Sequence, residues 1–226
     1  MRKIINKREI TPPPEILEGF KELLKVYSPS CVVADAQERA GVMRSYMKPI
    51  DTKTRFAGPA LTVRLEPGNQ VDCLDALAVA QDGDVIVVDA AGETETSIWG
   101  GLMAGLCQMK GVVGAVVDGA IRDTDETRDL GFYIFAKAIV PRSTHTIVSG
   151  RMEPIEINVP IHCAGVVVNP GDIVIGDEVG VTVVPLENAV EVLEKARHQA
   201  KMEEQTRARI REGKTVDEIL AEFGRL

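Results

Sequence analysis

Arg122 and Asp123 stand side by side at the end of the run VVDGAIRD (116–123), where an apolar strand meets a Gly turn at its C-terminal edge. Open α/β sheets place their ligands at that edge. Arg can grip a carboxylate through two parallel N–H groups, and Asp is a hard oxygen ligand suited to Mg²⁺ or Mn²⁺. A second segment, WGGLMAG (99–105), sets two glycines ahead of a helix. Its first backbone N–H groups, those of Gly101, Leu102 and Met103, are expected to be unpaired and able to hold a carboxylate or phosphate. The two segments together describe an anion cradle beside a cation and a candidate metal ligand. On residue types alone, an Arg–Asp surface pair ending a strand accounts for the second half of this constellation equally well.

Other chemistry loses ground. The sequence has no GxGxxG after a strand, no GxxxxGK[ST], no HExxH and no GxSxG, which removes the common nucleotide and hydrolase signatures. His145, His162 and His198 are scattered and read as surface or packing residues. Cys31, Cys73, Cys107 and Cys163 form no CxxC pair and read as small buried thiols in a reducing compartment.

The elements that would position these residues follow from periodicity. Residues 12–27 open with prolines and continue with Ile16, Leu17, Phe20, Leu23, Leu24 and Tyr27 at helical spacing, until Pro29 stops the helix. AGPALTVRL from Ala57 reads as a strand, PGN at 67–69 as a turn, and Asn69 as the cap of a helix from Gln70 to Ala80. VIVVDA, ending at Asp89, is a strand covered on both faces. A polar loop over 90–98 precedes a helix from Gly100 to Lys110 closed by Gly111, and the strand VVGAVV ends at Asp118 and Gly119. This alternation argues for an α/β domain with a largely parallel sheet. FYIFAKAIV and GVVVNPGDIVIGDEVGVTVVP then read as strands without room for helices, hence an antiparallel or barrel-like layer. Ala189, Leu193, Ala196 and Ala200 form a narrow stripe on a long charged helix, suited to a neighbouring subunit or to a solvated face. Thr215 with Glu218 makes a capping box for a last short helix.

The 226 residues are 45% hydrophobic and 27% charged, enough for a sizeable core and far from the disordered regime. The expected organisation is a single domain over 1–226, with its core at about 30–185 and C-terminal helices over 186–226. A net charge of −8 makes nucleic acid a poor default partner. No apolar run is long enough for a membrane span, and no apolar segment follows the basic start, so a cytoplasmic protein is expected.

The runs GPALTVR…GN, WGGLMAG, GVVGAVVDGAIRD and NPGDIVIGDEVGVTVVP, in this order over roughly Ser30 to Arg211, resemble the RraA-like family, which includes the class II 4-hydroxy-4-methyl-2-oxoglutarate aldolases. The resemblance implies a swivelling β/β/α-type α/β fold: a mixed sheet with flanking helices and, here, a long C-terminal helix. It also implies assembly as a trimer or hexamer with sites at subunit interfaces. The implied activity is that of a divalent-metal lyase acting on a small 2-oxo acid, an aldolase or oxaloacetate decarboxylase. Arg122 would bind the substrate carbonyl and stabilise the enolate, the N–H groups of Leu102 and Met103 would hold its carboxylate, and Asp123 would anchor Mg²⁺ or Mn²⁺.

The aldolases of that family carry an acidic residue 21 positions before the Arg, where this chain has Gly101. Either another carboxylate, Glu93 or Glu95, supplies its role, or the reaction differs. Members also borrow a Glu from a neighbouring subunit; Glu191 and Glu194 are candidates that read equally as solvated charges. Asp172 and Asp177 match the family pattern and read as turn residues. The name-giving member regulates a ribonuclease by contact, so a non-catalytic protein-binding regulator is the alternative. A methyltransferase label attached to the family finds no Gly-rich cofactor loop here.

Overall fold

The chain enters along the edge of a sheet and leaves along a helix that packs back on its own beginning. A computed structural model describes residues 3–65, 73–144 and 155–224. Strand β1 (Ile4–Ile5) precedes helix α1 (Pro14–Leu23), which has Pro at its first position and buries Gly19, Phe20 and Leu23. Pro29 does not merely end that segment: it opens α2 (Pro29–Ala36), because a residue without an N–H and with a fixed φ suits the first helical position. Next come β2 (Lys48–Pro49), the long β3 (Phe56–Leu65) and, in place of the expected 70–80 helix, a 3₁₀ turn at Leu74–Ala78. The PGN turn, the Asn69 cap and His145 lie outside the described residues.

The central unit is β4 (Val85–Asp89), β5 (Ser97–Trp99), α3 (Gly101–Met109), β6 (Gly114–Ile121), α4 (Thr124–Asp129) and β7 (Ile134–Ile139). Short strands follow: β8 (Ile155–Ile157), β9 (Ile161–Cys163), β10 (Val166–Val168), β11 (Ile173–Gly176) and β12 (Val181–Val184). Helices α5 (Ala189–Arg211) and α6 (Val216–Phe223) complete the chain.

The main sheet runs β1-β8-β3-β4-β6-β7-β2, with β3, β4, β6 and β7 mutually parallel. Two expectations give way here. Strand β6 continues through Asp118 and Gly119 to Ile121, with a register shift against β7. Gly119 is not a turn residue: a β-carbon there would come 2.9 Å from that of Ala90. Strand β7 is parallel to β6 and reached through α4, rather than part of an antiparallel layer. The antiparallel pairing is that of β8 and β11 on one edge of β3, of β11 with β12, of the separate β9–β10 hairpin, and of the short edge strand β2 against β7.

Strands β4 and β6 bury both faces, as their unbroken apolar runs require. Ile86, Val88, Val117 and Ile121 pack with Met103, Ala104 and Cys107 of α3 on one side. Val85, Val87, Val116 and Phe135 face Met43, Met47 and the β9–β10 hairpin on the other. A third core joins α1, α2 and α5 to β11 and β12, so the stripe of α5 is covered within this chain. The capping box of Thr215 and Glu218 is formed in full. Cys73, Cys107 and Cys163 are buried free thiols, but Cys31 is exposed, because α2 turns it outward. Among the described residues no helix is long and apolar enough to cross a membrane.

Candidate active site

The site is built where β6 ends against the start of α3. Arg122 N donates to Trp99 O at 2.9 Å, so the residue after the strand is pinned beside Gly100. Asp123 then takes a left-handed conformation (φ 52°, ψ 46°), one that Asp adopts more readily than most residues and that costs on the order of 1–3 kcal/mol. Its carbonyl accepts from the N–H and hydroxyl of Thr127 and starts α4. Its side chain turns away from α4, and Oδ2 accepts from Gly101 N at 3.3 Å.

This corrects one expectation. The N–H of Gly101 is not free for a ligand, because the Asp123 carboxylate reaches it first. The first intrahelical bond of α3 is donated by Ala104 to Gly100 O, so the cradle that remains is the pair of N–H groups of Leu102 and Met103. Both glycines are needed for close approach. A β-carbon on Gly100 would lie 2.6 Å from Asp123 Oδ2, and one on Gly101 would run into the carboxylate of Glu126.

Arg122 Nε lies 3.4 Å from Asp123 Oδ2, with the two side chains 40% and 39% exposed. A pair this open is worth little to stability and leaves the guanidinium available. A cleft of about 380 Å³ joins Arg122 and Asp123 to Gly100, Leu102, Met103 and Trp99. Trp99 stacks on Phe132 with ring centroids 6.1 Å apart, and its buried Nε1 has no hydrogen-bond partner. A larger hollow of about 720 Å³ lies between α2, α5 and α6, but its Arg207 is already paired with Glu203 and stacked on Tyr27. In the smaller cleft a cation, an open carboxylate and unpaired N–H groups converge.

The other candidates lie elsewhere. Glu93 is occupied within its own loop, where Oε1 accepts from the N–H groups of Glu95 and Thr96. Glu191 pairs with Lys195, which holds its carboxyl below the usual range, and Glu194 is an exposed residue of α5. Asp172 and Asp177 are buried turn residues: Asp177 accepts from Ser30 N and Oγ, and Asp172 from Asn169 N and Leu186 N. His162 and His198 are exposed. Beneath the site, Asp118 accepts from Tyr46 Oη at 3.2 Å and Ala164 N at 2.9 Å. Burial and this carboxylate push the Tyr46 hydroxyl up to about 12. The residue that sequence reasoning missed is Glu126. Its signal was present as the D-x-x-E spacing of Asp123 and Glu126, a helix-start pattern.

A divalent cation is best judged by its donors. Asp123 Oδ2 is engaged by Gly101, which leaves Oδ1 open, and among the described residues no three His, Cys, Asp or Glu side chains gather into a cage. That donor set fits a hard ion which keeps most of its water, as Mg²⁺ does with one or two carboxylates.

A family model described as RraA-like, Aldolase/RraA, matches residues 30–183. A Halalkalibacterium halodurans protein, named provisionally as a 4-hydroxy-4-methyl-2-oxoglutarate aldolase, is 38% identical over 170 residues, covering 75% of this chain and 78% of its own. A Thermus thermophilus protein named 4-hydroxy-4-methyl-2-oxoglutarate aldolase is 31% identical over 153 residues, 68% of this chain and 90% of its own. The crystal structure of Streptomyces coelicolor RraAS2, described as an unusual member of the RNase ES inhibitor RraA family, superposes with a TM-score of 0.74 at 30% identity. It covers 88% of this chain and 99% of that one.

Proposed function

This chain belongs to the RraA-like family, and we propose that it is a divalent-metal-dependent lyase that cleaves a carbon–carbon bond of a small 2-oxo acid through a pyruvate enolate. The observation that carries this reading is the convergence of Arg122, Asp123 and the open N–H groups of Leu102 and Met103 on one cleft. In the proposed pose the substrate carboxylate lies on those two N–H groups, at the positive end of α3. Arg122 donates to the 2-oxo oxygen. As the bond beyond C3 breaks, its electron pair moves toward that oxygen, and a donor fixed in advance stabilises charge where it develops. Asp123 would hold Mg²⁺ or Mn²⁺ through its open oxygen, and such an ion would supply further positive charge to stabilise the enolate. Trp99, itself buried, forms part of the wall of the cleft.

The same electron sink serves aldol cleavage of 4-hydroxy-4-methyl-2-oxoglutarate and decarboxylation of oxaloacetate. The test is pyruvate release from each, with Mg²⁺, Mn²⁺ or chelator, after subtraction of the metal-only rate. Metal-dependent release from either supports the reading, and release from neither overturns it.

A second reading, a protein-binding regulator of a ribonuclease, draws on one surface. Leu102, Leu106 and Met109 form an apolar stripe along α3 at 78%, 39% and 84% exposure, beside the cleft. A stripe of this kind also suits the trimer or hexamer proposed for the enzyme. Chelator-sensitive turnover separates the two readings.

A further inference from the structure

We infer that Glu126 takes the proton of the substrate alcohol during carbon–carbon cleavage, a role that rests on the lyase reading above. Asp123 and Glu126 stand at the N-cap and third position of α4, the spacing of a reciprocal cap. Yet α4 has no side-chain cap. Asp123 reaches across to α3, and the Glu126 carboxylate lies against Gly101, in the volume that a side chain at 101 would fill. A helix start that forgoes its own cap breaks a local rule, and such breaks mark sites where side chains serve another purpose.

The surroundings leave this carboxylate free to act. No hydrogen bond or ion pair engages it among the described residues; it is exposed to solvent and lies against Gly101, the residue between the cleft-lining Gly100 and Leu102. The charged residues next to it in sequence are Arg122 and Asp123 at the strand end and Asp125, Arg128 and Asp129 of its own helix. Helix α3, which packs on α4, carries no charged side chain over residues 101–109. The missing side chain of Gly101 therefore makes the room, and Glu126 brings an acid into it from the next helix.

The chemistry gives that acid a specific task. In aldol cleavage of a 4-hydroxy-2-oxo acid, a base removes the hydroxyl proton and the C4 carbonyl forms. The C3–C4 bond breaks, and its electron pair becomes the enolate. Returning the proton to C3 gives pyruvate, so atoms and electrons balance without a co-reactant. Glu126 takes and returns that proton. Decarboxylation of oxaloacetate has no alcohol proton to remove: CO₂ leaves, the same enolate forms, and C3 takes its proton from water.

The experiment compares kcat and KM on 4-hydroxy-4-methyl-2-oxoglutarate and on oxaloacetate for wild type, Glu126→Gln, Glu126→Ala, and Glu126→Ala combined with Gly101→Asp. Melting temperatures are recorded to confirm folding. Loss of a general base of this kind lowers rates by about 10²–10⁴-fold. Glu126→Gln is expected to lose at least about 100-fold in kcat on the hydroxy acid with KM little changed, and less than about fivefold on oxaloacetate. The exchange variant, which rebuilds a carboxylate from the α3 side, is expected to recover at least about tenfold over Glu126→Ala. Equal losses on both substrates, a normal rate for Glu126→Gln, or an exchange variant no better than Glu126→Ala overturns the inference. Wild-type turnover of oxaloacetate alone overturns it while keeping the lyase reading, and turnover of neither substrate overturns both.

Discussion

Removing the Arg122 guanidinium takes away the cation that faces the 2-oxo oxygen in the proposed pose. Loss of one such donor costs about 10²–10³-fold in kcat. Arg122→Ala is therefore expected to lose that much pyruvate release while keeping its melting temperature, because its ion pair with Asp123 is open to water. Gly100→Ala makes a complementary prediction. The added methyl would meet Asp123 Oδ2 at 2.6 Å, so the carboxylate must swing off Gly101. Mn²⁺ affinity, read by titration calorimetry, is expected to change at that position even in the absence of substrate. Arg122, Asp123, Leu102 and Met103 were legible in the sequence because strand ends and Gly-led helix starts have local signatures. The engagement of Gly101 by Asp123 and the placement of Glu126 were not, since both depend on two helices 22 and 25 positions apart in sequence being folded against each other.

At the scale of elements, the unbroken apolar runs of β4 and β6 announced covered strands, and the length of α3 followed from its glycine brackets. Helix α4 escaped notice because TDETRD has six residues with no apolar periodicity, and without it β7 could not be read as parallel. The 3₁₀ turn at Leu74–Ala78 likewise buries Ala76 alone of its residues, too little apolar face to hold the longer helix that its pattern suggested. Helix α6 shows the opposite case, a local signal honoured in full. The N–H of Thr215, together with Lys214 and the Thr215 hydroxyl, pulls Glu218 down to about 2 from its ordinary 4.5. A carboxyl lowered on folding contributes above its unfolded value, and that contribution is lost as pH falls through the folded one. The α6 signals in an NMR titration are therefore expected to stay constant down to about pH 4.5 and to lose helical character as pH falls toward about 2. Thr215→Ala is expected to bring that loss to higher pH.

Across the whole molecule, the first residues act as a strap. Strand β1 pairs with β8, and Arg8 Nη1 meets Asp84 Oδ1 at 2.5 Å with the side chains 5% and 1% exposed. Removing one partner of such a buried pair leaves an uncompensated charge and costs about 3–5 kcal/mol. Arg8→Ala is expected to lose that much stability in urea unfolding at neutral pH. Burial already pushes Asp84 upward while Arg8 pulls it back, so the variant's folded state favours the neutral acid. Its deficit should then shrink as pH falls toward the unfolded carboxyl value of 3.8, and a deficit independent of pH would contradict this assignment.

The third core unites Phe20 of α1 with Leu193 and Ala196 of α5, residues from opposite ends of the chain. During synthesis α1 leaves the ribosome long before α5, its partner in that core. The sheet that carries Arg122 and Asp123 can pair, and α1 can pack on β3, while translation continues, but the side of α1 that meets Leu193 stays uncovered until α5 is made. A nascent chain stalled before Ala189 would thus hold the strand end that carries Arg122 and Asp123 while one side of α1 stays open, which makes that side a surface for a chaperone to cover.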